Sequence, residues 1–128
     1  ENKRFIKDKE FNIQTILSYG YMNRYQFSES HLNKLKQLLK FAKLYNVEVS
    51  FFFSPYMPSV YEEFLNIGSD IIEVEKTMFD FAENNDIKVL GSYDPNEYGC
   101  NWQFFYDGMH PVKECLDIII ESTNHNSN

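Results

Sequence analysis

The sequence predicts an α/β protein built on a parallel sheet, and three observations predict it. Two short β-branched or aromatic runs, 47–53 and 87–90, each follow a long segment of helical periodicity. Each run ends at a turn signal, Pro55 after the first and Gly91 after the second. Helix and strand alternate along the chain, which is the order that makes right-handed βαβ units.

The first helix is expected from Ser28 or Ser30, either able to cap it, to about Asn46. Leu32, Leu35, Leu38, Leu39, Ala42 and Tyr45 recur at helical spacing, and Lys34, Lys36, Lys40 and Lys43 face outward. The run Val47-Glu48-Val49-Ser50-Phe51-Phe52-Phe53 reads as a strand buried between layers of helices, with Ser50 directed to its buried side. Pro55 and Pro58 bracket a stiff loop, 59–67 reads as a short helix, and Ser69 caps a second long helix reaching about residue 84. Its stripe is Ile71, Val74, Met78, Phe81 and Ala82, while Glu62, Glu63, Asp70, Glu73 and Glu75 read as a solvated face.

After the strand at 87–90 comes a loop of about a dozen residues, a length that compact domains usually keep for function. It leads into Phe104-Phe105-Tyr106-Asp107-Gly108-Met109-His110-Pro111. Pro111 suits the first position of a last helix, 111–121, and 122–128 is a polar tail. Residues 1–10 are a charged lead-in, and 11–27 has mixed periodicity broken at Gly20. No internal repeat or linker is evident. The chain reads as a single α/β domain over 1–128 or as the C-terminal part of one. Its abrupt charged start, Glu1-Asn2-Lys3-Arg4, suggests a piece of something longer.

Composition narrows the function. Of 128 residues 43% are apolar and 17% aromatic, which excludes a disordered chain. Nineteen acidic against twelve basic residues give a formal charge of −7, a poor match to a phosphate backbone, so nucleic acid is not an expected partner. No apolar run reaches the roughly 20 residues that span a bilayer. No Cys/His spacing suggests a metal, and no cofactor motif is present. Cys100 and Cys115 could pair, but Cys115 lies in a helical pattern and both read as small packed thiols rather than a disulfide.

The residues best suited to chemistry are Asp107 and His110, a carboxylate and an imidazole three apart in an aromatic setting. A base of this kind deprotonates a hydroxyl, and the carboxylate fixes its tautomer and stabilises the imidazolium that forms. The bland account is a turn Asp and a helix-capping His. The other two histidines, His31 at the head of a lysine-rich helix and His125 in the tail, have no such setting. The ends of both strands and the long loop should share the carboxyl edge of the sheet, where open α/β folds bind ligands.

A lysine-studded helix, a strand ending Phe53-Ser54-Pro55, a second helix and strand, and an aromatic loop carrying Asp107-Gly108-Met109-His110-Pro111 together resemble a known pattern. It is the C-terminal half of the SGNH/GDSL hydrolase superfamily, especially bacterial members linked to acylation of cell-surface polysaccharides. The resemblance spans about 28–121 and implies a three-layer, flavodoxin-like parallel sheet, present in part. It also implies His110 as general base, Asp107 as the group that orients it, and an acylated carbohydrate or small ester as substrate. Trp102, Tyr106 and Ser54 would then line the substrate site, although such aromatics equally often cover a core.

The family's Gly-Asp-Ser nucleophile block and its Gly-x-Asn-Asp block are both absent. Gly68-Ser69 and Gly91-Ser92 stand elsewhere in the order. The resemblance therefore implies half of a domain, whose missing N-terminal half would be a partner, or else a relic without activity. The alternative function is a non-catalytic α/β module binding through the same rim.

Overall fold

The computed structural model describes residues 28–125, with Gln14 and Thr15 in a helical turn before them. The expected lead-in, the break at Gly20 and the last three residues of the tail lie outside the described residues.

The order is α1 (Glu29–Leu44), β1 (Ser50–Phe53), α2 (Pro58–Asn66), α3 (Ile71–Glu83), β2 (Lys88–Gly91), two 3-10 turns (Pro95–Tyr98 and Trp102–Phe104) and α4 (Lys113–His125). β1 and β2 pair in parallel, Ser50 with Lys88 through Phe53 with Gly91, so the α/β expectation holds. The sheet has two strands among the described residues. None of the helices among them is long and apolar enough to cross a membrane.

The helix-to-strand junctions explain the parallel pairing. α1 ends with Asn46 at φ 55°, and the N–H of Val47 reaches back to the Ala42 carbonyl at 2.9 Å. α3 ends the same way, with Asp86 at φ 55° and Ile87 N–H on the Ala82 carbonyl at 2.9 Å. Asn and Asp are the non-glycine residues that best tolerate this left-handed position, and the bond satisfies an orphan carbonyl of the last turn. Forty residues apart, Phe41-Ala42 with Asn46-Val47 and Phe81-Ala82 with Asp86-Ile87 are the same device.

The two copies differ in what they bury. Phe81 is 8% exposed and stacks on Phe51 of β1 with centroids 6.2 Å apart, whereas Phe41 is 58% exposed. α1 buries no residue at all, and Leu38, Leu44 and Tyr45 are also open. Leu32, Leu35, Leu39 and Ala42 of the expected stripe are half-buried, so α1 is covered only in part. β1 is not sandwiched between layers as expected: Phe52 is 46% exposed, and Ser50 is exposed rather than inward. A cavity of about 450 Å³ lies against all four residues of β1 and is walled by Ile71, Val74 and Met78 of α3.

The core sits at the carboxyl side of the strands. Tyr56, Met57, Val60, Tyr61 and Phe64 from α2 and the loop before it meet Ile71, Cys100, Phe105, Cys115 and Ile119. Ser69 is buried, and its hydroxyl accepts from Ile71 N–H, although the residue next to α3 is Asp70. α4 starts two residues later than expected and continues through Ser122 to His125. Pro111 is outside it, bridged to Phe105 as a short antiparallel pair.

Candidate functional site

The aromatic block folds into a hairpin-like turn with Asp107 to His110 at its tip. Tyr106 N–H donates to the His110 carbonyl at 2.9 Å and Val112 N–H to the Phe104 carbonyl at 2.8 Å, which closes the neck. Phe105 is completely buried and pins one arm of the neck to the core. At the tip, Asp107 Oδ1 accepts the N–H groups of Met109 (2.8 Å) and His110 (3.0 Å). A short polar side chain bonding its own downstream backbone is a standard turn former, and this locks the carboxylate in place.

The same carboxylate grips the His110 ring. Nδ1 lies 2.9 Å from Oδ1 and 2.7 Å from Oδ2. The His110 side chain is 73% exposed, and among the described residues its Nε2 has no hydrogen-bond partner. Burial on its own would raise the Asp107 pKa. The Met109 N–H, the His110 ring and the His110 N–H outweigh it and hold the carboxyl below its ordinary range. Asp107 is therefore an ionised acceptor that takes a hydrogen bond from Nδ1–H and leaves Nε2 facing outward.

The tip is tied to the strand ends. Gly108 is buried, and its carbonyl accepts from Met57 N–H at 3.0 Å, joining the tip to the loop that leaves β1. Tyr56 N–H donates to the Tyr93 carbonyl at 3.1 Å, joining that loop to the exit of β2. Glu75, expected on a solvated face, instead anchors that exit: Oε1 accepts from Ser92 Oγ at 2.9 Å and Tyr93 N–H at 2.5 Å. Nearby Glu97 is raised by burial, then by the charges of Glu75 and Asp94.

Of the other expected site residues, Tyr106 and Trp102 are exposed, at 68% and 43%, on the same loop as the dyad. Ser54 is half-buried in the β1 exit, three residues before the Met57 that holds Gly108. Among the described residues neither Tyr106 nor Ser54 has a hydrogen bond to the His110 ring. Cys100 and Cys115 form a disulfide, contrary to the expectation of free thiols. The helical setting of Cys115 does not oppose it, because the loop brings Cys100 back onto the first turns of α4. The legible signal was position: the two cysteines flank the Asp107–His110 block. Among the described residues no group of three or more His, Cys, Asp and Glu side chains is arranged to hold a metal ion.

Compared with protein-family models, with curated proteins and with solved structures, the chain matches none.

Proposed function

We propose that the chain is the C-terminal part of an SGNH-like esterase or O-acyltransferase with a flavodoxin-like sheet, acting on an acylated carbohydrate or similar ester. The observation that carries this reading is the Asp107 carboxylate on His110 Nδ1 with Nε2 turned outward. In the proposed reaction Nε2 takes the proton of a serine hydroxyl as its oxygen attacks the ester carbonyl. Asp107 stabilises the imidazolium, which then returns the proton to the departing alkoxide. Trp102 and Tyr106 would offer aromatic faces to sugar or acyl groups, and Ser54 a hydroxyl at the strand end.

The hydroxyl would come from polypeptide outside the described residues. The edge of β1 that has no partner strand among the described residues supports completion of the sheet on that side. One observation favours a second reading, a non-catalytic module that binds through the same rim. Among the described residues no hydroxyl or thiol partners Nε2, and both cysteines are oxidised.

Fluorophosphonate labelling separates the two readings. The 128-residue chain is expected to take no label and to hydrolyse p-nitrophenyl acetate at the background rate. The product of the whole reading frame is expected to label and to lose both activities in His110→Ala. Failure of the whole product to label or hydrolyse would leave the binding module standing.

A further inference from the structure

The disulfide closes the very segment that carries the dyad. Cys100 and Cys115 are fifteen residues apart, and Asp107 and His110 lie between them. Both half-cystines are essentially unexposed, at 1% and 0%, and share a cluster with Phe105, the residue that roots the hairpin neck. The segment between them is otherwise poor in regular structure, holding one three-residue 3-10 turn and one isolated bridge. Trp102, Tyr106, Met109 and His110 are all exposed, so the tip has little burial of its own to hold it. Besides the disulfide, it is held by the buried Phe105, the neck hydrogen bonds, the bond from Met57 N–H to the Gly108 carbonyl, and the Asp107 bonds to the Met109 and His110 N–H groups.

We propose that the Cys100–Cys115 disulfide is the positioning clasp of the Asp107–His110 pair, and that the working protein matures where such bonds form. This rests on the dyad reading of the site. Closure oxidises two thiols to one disulfide. Two electrons and two protons pass to a disulfide-bearing exchange partner, which leaves as a dithiol. Proteins that depend on such a bond belong to oxidising compartments, where it persists. The bond removes many open conformations of the loop, so the carboxylate and ring meet without paying that ordering cost again.

Nuclear magnetic resonance on the 128-residue chain tests the clasp. In the oxidised wild type the Asp107 carboxyl should titrate below its ordinary value of about 3.9. The Met109 and His110 amides should be protected, and His110→Ala should raise the Asp107 pKa. In Cys100→Ala/Cys115→Ala the Asp107 pKa should return toward the ordinary value. The Met109 and His110 amides should also lose at least about tenfold protection relative to core amides of α2 in the same variant. If His110→Ala leaves the Asp107 pKa unchanged, the dyad reading itself fails. If that coupling is present but survives unchanged in the double variant, the clasp is overturned and the bond only stabilises the core. Should the double variant not fold, the oxidised wild type still decides. Rapid local exchange of the Met109 and His110 amides with the disulfide intact overturns the clasp, and exchange only through larger openings supports it.

Discussion

Gly91→Ala should be far more damaging than alanine at another left-handed glycine, and the structure says by how much. Gly91 is the last residue of β2, with φ 79°, and a Cβ there would stand 2.2 Å from the carbonyl oxygen of Phe53 on the neighbouring strand. Gly68 has nearly the same conformation, φ 63°, but a Cβ there meets nothing within 4 Å. Alanine in this conformation costs about 1–2 kcal/mol at either site through its own backbone. At Gly91 the contact is with backbone that β1 cannot move without breaking the parallel ladder, so overpacking adds about 1–3 kcal/mol more. The expected destabilisation is about 1–2 kcal/mol for Gly68→Ala and about 2–5 kcal/mol for Gly91→Ala. Against a typical total of about 5–15 kcal/mol, the second variant would be near its limit. Urea unfolding followed by far-ultraviolet circular dichroism, with the slope checked for two-state behaviour, measures both. Equal midpoints for the two variants would refute the reasoning, because they would mean that the strands do not approach closely at Gly91.

Tyr56, 6% exposed, has its phenol pushed up to about 12 by burial and then by Tyr93. A folded pKa above the unfolded one of about 10 gives stability that is complete below pH 10 and lost as pH rises toward 12. Tyr56→Phe should flatten that alkaline fall in a thermal-melt series, and an unchanged slope would contradict the assignment. Glu75→Ala should cost about 1–3 kcal/mol, since it strips the acceptor from the buried Ser92 hydroxyl and the Tyr93 N–H. A midpoint within experimental error of wild type would return Glu75 to the solvated face on which its sequence neighbours sit.

Local chemistry was legible in the residues themselves. Ser28 does head α1, its Oγ accepting from His31 N–H at 3.4 Å, and the apolar spacing of α3 does mark the face on which Ile71, Phe81 and Ala82 are buried. β-branched and aromatic runs became strands, the second at its expected length and the first shorter than expected, because the ladder exists only where both strands are present to bond. The closeness of Asp107 to His110 was readable too, since a carboxylate three residues before a histidine can bond both that residue's N–H and its ring across a single turn.

Everything that depended on contact between distant segments was left to the tertiary structure. Two cysteines in a row of letters have no separation in space, and only the return of the loop onto α4 brings their Cα atoms to 5.7 Å. Glu75 looks like any acidic helix residue until β2 delivers Ser92 and Tyr93 to it seventeen and eighteen positions later. α1 has the periodicity of a buried helix, yet its stripe of Leu32, Leu35, Leu39 and Ala42 is only half-buried, because periodicity states which face an element would bury and the surrounding chain decides how far it is covered.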